Sequence, residues 1–154
     1  MDEQLLETWN IHNRINLYLL DNLLPAALSS KLASKGRTVG EVFAHIHNNR
    51  LAWLEPSAPD LLEGLAKIEN DAAENAQVLR QSLEKSGQAV EALLKRTLRV
   101  GGKVKGFKPH ATAFVGYLIS HESYHRGEIG IIVAHAGYPL DRKIAYGMWE
   151  WGVR

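Results

Sequence analysis

Residues 111–136, ATAFVGYLISHESYHRGEIGIIVAHA, decide the fold. At about 100° per residue this stretch forms one long helix with a narrow inward stripe. Phe114, Leu118, His121, His125, Ile132 and Ala136 fall in that sector, and Glu128 and Ile129 flank it. Gly137 stands at the expected C-cap position and Pro139 follows, so the helix is expected to end there.

Working outward, the same periodicity recurs. Leu5, Trp9, His12, Ile15, Leu19 and Leu23 recur at steps of three and four, which predicts a first helix over residues 2–24, stopped by Pro25. Thr38-Val39-Gly40-Glu41 fits a capping box and opens a second helix, with Val39, Val42, Phe43, Ile46 and Trp53 on its apolar face. Pro56 and Pro59 close it. Residues 60–86 are rich in good helix formers and predict a third helix; Gly87 reads as its terminator, with more helix over 88–98. Gly101, Gly102 and Gly106 mark 99–109 as a flexible connection with room for a short strand pair. Tyr146, Trp149 and Trp151 are expected to pack the tail, 140–154, back onto the body. No sustained strand alternation appears, so the expected architecture is an all-α bundle forming one domain over 1–154.

Composition narrows the function. Hydrophobic residues make up 45% of the 154, enough for a real core. Eighteen basic residues balance 17 acidic ones, which argues against a dedicated nucleic-acid binder. There is no cysteine, so thiolate ligands, disulfides and a thiol nucleophile are excluded. The acidic start, Met1-Asp2-Glu3-Gln4, is unlike a signal peptide, and the apolar run 129–136 is too short to span a bilayer. A soluble, cytoplasmic protein is the expectation.

Two histidines inside an apolar stripe need partners for their ring nitrogens. His121 and His125 are four apart, so neighbouring on the helix face, and could share a metal ion. A third ligand must come from elsewhere. His12 lies on the inner stripe of the first helix, while His45 and His47 lie on opposite flanks of the second, and the wheel does not choose between them. His110 starts the fourth helix, and His135 is too far along it.

His121-Glu122-Ser123-Tyr124-His125 also spells HExxH, the motif that puts two zinc ligands and a general base, here Glu122, on one helix of a peptidase. The extension of that motif is missing: Glu128 replaces the glycine and Ile131 the third histidine, and Glu150 is the one downstream carboxylate in a sensible place.

Two blocks carry a wider likeness. Thr38-Val39-Gly40-Glu41-Val42-Phe43-Ala44-His45-Ile46 and His121-Glu122-Ser123-Tyr124-His125-Arg126-Gly127-Glu128-Ile129, with Ala136-Gly137-Tyr138-Pro139, resemble the DinB/YfiT family of four-helix-bundle proteins. The resemblance implies an antiparallel bundle with a long crossover, a homodimer, and nickel or zinc held by His45, His121 and His125. It departs at Glu128, where many members carry glutamine. It further implies a metal-dependent enzyme, either a transferase using a low-molecular-weight thiol or a hydrolase acting on a small molecule. Glu128 and Glu122 are the candidate acid/base groups, and His47 and Tyr124 are possible helpers. Arg96, Arg99, Lys103, Lys105 and Lys108 form a basic run that could hold an anionic cosubstrate. The competing readings are a non-catalytic, metal-stabilised dimer and a zinc peptidase.

Overall fold

The computed structural model describes residues 2–154. Its body is four helices, α1 (Asp2–Asp21), α2 (Val39–Ser57), α3 (Ala76–Arg99) and α4 (Ala111–His135), with a short α5 (Arg142–Gly147) in the tail. There is no strand among the described residues.

Local chemistry sets the helix ends. The Thr38 hydroxyl accepts from the Glu41 amide at 3.1 Å and the Glu41 carboxylate accepts from the Thr38 amide at 2.7 Å, completing the capping box of α2. Asn75 accepts from the Val78 amide to start α3, and His110 accepts from the Ala113 amide to start α4. Beyond α4, Tyr138 donates to the Val133 carbonyl and Gly137 to that of Ala134. This Schellman closure needs a left-handed residue, and Gly137 supplies it at φ 87°.

Side-chain pairs give the helix directions. Arg80 near the start of α3 pairs with Asp21 at the end of α1, so these two run antiparallel. Trp53 packs on Phe114 and His45 on His125, so α2 and α4 are antiparallel. His12 and Asn16 meet Glu122 and Arg126 in order, making α1 and α4 parallel. His47 meets Ser82 and Arg50 meets Ser86, making α2 and α3 parallel. Two consecutive parallel helices require a connection that returns along the bundle, and residues 58–75 are that crossover.

The crossover corrects the expected third helix. Residues 60–75 are irregular apart from the 3-10 turns Pro59–Leu62 and Asn70–Ala72. Their backbone is held instead by α2: Asn48 donates to the Ile68 carbonyl at 3.0 Å and accepts from its amide at 2.9 Å, and His47 faces the Ala66 carbonyl. Tertiary contacts override helix propensity here. Gly87 does not stop a helix. It lies inside α3, where a Cβ would fall 2.3 Å from Asn13 Nδ2, and its carbonyl accepts from Trp9 Nε1 at 2.9 Å. The missing side chain lets α1 approach. α1 itself ends at Asp21, three residues short of the expected end, and 99–109 forms turns rather than strands.

Two apolar clusters fill the bundle. One gathers Leu19, Phe43, Ile46, Leu83, Ile129 and Val133; the other gathers Trp9, Leu54, Val90, Leu94, Phe114 and Leu118. Between them lies a buried polar layer of His12, Asn13, Asn16, Arg50, Ser86 and Glu122. The tail returns to the body with two of its three aromatics left outside: Trp149 is 75% and Tyr146 59% exposed, while Trp151 is 37% exposed. Arg154 anchors it, its guanidinium stacking on Tyr18 and its carbonyl accepting from Arg14 Nη2 at 2.8 Å.

Candidate metal centre

α2 and α4 cross so that His45, His121 and His125 meet. Each offers a ring nitrogen, and the three atoms lie within 4.8 Å of one another. Ring centroids are 4.7 Å apart for His45–His125 and His121–His125 and 5.3 Å for His45–His121. Burial, then the nearby Arg37 charge and the other two rings, push the His45 imidazole down to about 4. Burial and His125 likewise lower His121. Such imidazoles are neutral at physiological pH, the state a metal ligand needs.

The surroundings orient the rings. His125 Nδ1 lies 2.8 Å from Glu128 Oε2, one turn along α4, so Nδ1–H donates to the carboxylate and Nε2 is left as the ligand atom. The Asn49 side-chain amide lies 3.5 Å from His121 Nδ1. Tyr117 stacks against His121 at 6.0 Å and continues into Trp53, Phe107 and Phe114, an aromatic wall on one side of the site. On the other side a cavity of about 390 Å³ adjoins His45, with Lys35, Arg37, Asn48 and Asn70 on its rim. The donor set fits a divalent ion: three imidazole nitrogens converge, one has a carboxylate behind it, and open space lies alongside.

The structure brings Glu128 to this centre and leaves Glu122 out of it. Glu122 is fully buried in the polar layer, where Oε1 accepts from Arg50 Nε at 2.8 Å. Its Oε2 accepts from Arg50 Nη2, His12 Nε2 and Asn16 Nδ2 at 2.7–2.8 Å. No oxygen is free to act as the base of an HExxH site. Glu150, the downstream carboxylate, pairs instead with Arg154. In the structure Glu122 is buried, while His121, expected inside the inward sector, is only half-buried. Glu122 is buried together with its partner Arg50, which lies on another helix and so leaves no mark in the periodicity of α4.

His47 points the other way from His45. Its two ring nitrogens face the Ser82 and Ala66 carbonyls at 3.0 and 2.9 Å. His12 belongs to the polar layer, His110 is an N-cap, and Tyr124 is 73% exposed. In the basic run, Arg96 pairs with Asp60. The cations beside His45 are Lys35 and Arg37, which the sequence reading passed over. Their signal was position: they immediately precede the capping box that begins the helix carrying His45.

Fold and histidine triangle together define a helical-bundle protein with a candidate metal centre between two antiparallel helices. The DinB family model matches residues 1–149, and the chain belongs to the DinB family. It is similar to a DinB-like protein from Bacillus cereus ATCC 10987 of known crystal structure, with 23% identity, a TM-score of 0.61, and coverage of 88% of this chain and 92% of that one. That likeness bears on the fold. No curated protein matches the chain. Among the described residues no helix is long and apolar enough to cross a membrane.

Proposed function

We propose that the protein binds one divalent metal ion, zinc or nickel, through His45, His121 and His125, and is a metal-dependent enzyme acting on a small molecule. The observation that carries this reading is the convergence of three imidazole nitrogens within 4.8 Å beside an open cavity. When bound, such an ion supplies a Lewis acid with an unfilled position, able to lower the pKa of a water or a thiol.

The chain's own residues shape the rest. Glu128 fixes the His125 ring and tautomer, and it is the carboxylate placed to take a proton at the site. Lys35 and Arg37 favour an anionic or strongly polar substrate, oriented by the Asn70 amide. The aromatic wall excludes water from the Tyr117 side. With no cysteine in the chain, thiol chemistry would use an external low-molecular-weight thiol as cosubstrate. A thiol S-transferase and a hydrolase both suit this layout. A homodimer suits the exposure of Tyr124 and Ile131 on the outer face of α4.

The test is turnover by zinc- or nickel-loaded protein against a panel of small esters and amides and a panel of electrophiles with added thiol. His125→Ala serves as the blank. Turnover by wild type that the blank lacks supports the enzymatic reading. Fully loaded protein that is inert on both panels contradicts it.

A further inference from the structure

A second cavity lies on the far flank of α4 from His121, between that helix and the tail. Its volume is about 410 Å³, within the range of small-molecule sites. Gly127 and Gly130 form its floor, and a Cβ at either would meet nothing within 4 Å. Leu140, Met148, Trp149 and Trp151 wall it, and both indoles remain exposed. Exposed tryptophans around an unfilled apolar hollow are unusual on a surface and mark a binding position.

Arg126 gives this hollow a polar end. Its Nη1 donates to Asn16 Oδ1 and to His12 Nδ1, and its Nη2 donates to Ser123 Oγ at 2.8 Å. All three partners are uncharged, since burial lowers the His12 pKa and keeps that ring neutral. Burial draws Arg126 itself down to about 10, so it stays a cation at neutral pH. Glu122, the carboxylate of the adjoining layer, is already held in a two-point pair by Arg50. A guanidinium carries five N–H donors; these contacts leave the Nε–H and one Nη2–H without a partner, on a side chain that lines the cavity. A partly buried cation whose hydrogen-bond partners are uncharged, and which keeps spare donors, is complementary to an anion.

We propose that this cavity is a ligand site separate from the histidine centre, for a small amphipathic monoanion. Its flat apolar body lies between the glycine floor and Trp149 and Trp151, and its carboxylate or sulfonate meets Arg126. The glycines matter because they let a ring approach the helix backbone. The site stands on its own geometry and does not depend on metal at the other flank.

The test uses two fluorescent probes of one shape and different charge, 8-anilinonaphthalene-1-sulfonate and uncharged N-phenyl-1-naphthylamine, titrated into full-length protein with and without zinc. Wild type should bind one sulfonate probe per chain, equally with and without zinc. Arg126→Gln should weaken the sulfonate by about tenfold or more, the scale of a charge-assisted hydrogen bond, and leave the neutral probe nearly unchanged. Gly130→Leu fills the hollow from a position with room for a side chain, keeps the fold, and should abolish both. It decides the matter if Arg126→Gln fails to fold. Unchanged sulfonate binding in Gly130→Leu overturns the proposal, as does equal binding to a folded Arg126→Gln. A wild-type dimer that excludes the probe, and that Gly130→Leu turns into monomers, also overturns it, in favour of a second copy covering the hollow.

Discussion

Replacing Glu122 with leucine leaves the Arg50 guanidinium charged in the middle of the protein. Both residues are fully buried. Arg50 directs Nε and Nη2 at the carboxylate at 2.8 Å, while Nη1 bonds Asn13 Oδ1 and the Leu83 carbonyl at 2.9 Å. The substitution removes the two charged contacts and keeps only neutral ones. It also frees His12 and Asn16 donors that now end on Glu122. Losing one partner of a buried ion pair costs about 3–5 kcal/mol, a large part of the roughly 5–15 kcal/mol that holds a domain folded. With a urea slope of about 2 kcal/mol per molar, the midpoint of unfolding, followed by helical circular dichroism, should fall by about 2 M. Glu122→Leu combined with Arg50→Met should recover most of that loss, because no charge is then stranded. The pH dependence has a definite sign. Burial alone would raise the Glu122 pKa, but the Arg50 charge and hydrogen bonds, with the His12 hydrogen bond, override it and hold it well below the carboxylate range. Its contribution is present above the unfolded value of about 4.3 and is lost as pH falls below that. Below pH 4.3, wild type should therefore lose up to about 1.4 kcal/mol per pH unit more than Glu122→Gln, which does not titrate. A Glu122→Leu loss under about 1 kcal/mol, or a double variant no more stable than the single one, would refute the buried clamp.

Two further perturbations probe packing and the site. Gly40→Ala places a Cβ 1.9 Å from the Ala73 carbonyl oxygen of the crossover, a backbone obstacle, and should cost about 2–3 kcal/mol in thermal or urea unfolding. Gly127→Ala, with nothing within 4 Å, should be neutral or stabilise by up to about 1 kcal/mol; equal effects at the two positions would contradict these contacts. Glu128→Gln should weaken zinc binding about 10- to 100-fold in competition with a chelating dye, because the His125 Nδ1–H loses its charged acceptor. Unchanged affinity there would remove Glu128 from the site.

What could be read from the residues was what local chemistry encodes. The capping box at Thr38 and the closure at Gly137 use short-range hydrogen bonds, and both form as expected. The pair His121 and His125 was visible because two polar rings interrupt an apolar stripe, and the family likeness selected His45, which the structure sets beside them. Long-range demands were not visible. Residues 60–75 favour helix by composition, yet they must carry the chain between parallel α2 and α3, with backbone groups taken up by Asn48 and His47. Gly87 reads as a stop until Asn13 and Trp9 of α1 are seen against it. The burial of Arg50 and Glu122 was not legible either, because charges seldom enter a core and only the pairing of two helices makes it favourable. Lys35 and Arg37 gain meaning only once the cap of α2 turns their loop toward His45.

The most direct test of the account is bound metal per chain, by elemental analysis of protein purified without a nickel column and then equilibrated with zinc or nickel. Wild type should hold about one ion, and His45→Ala and His121→Ala should each lose it while keeping wild-type helical content; His47→Ala should retain it. A folded wild type that takes up neither metal, or a His45→Ala variant that still holds a full equivalent, would contradict the three-histidine centre.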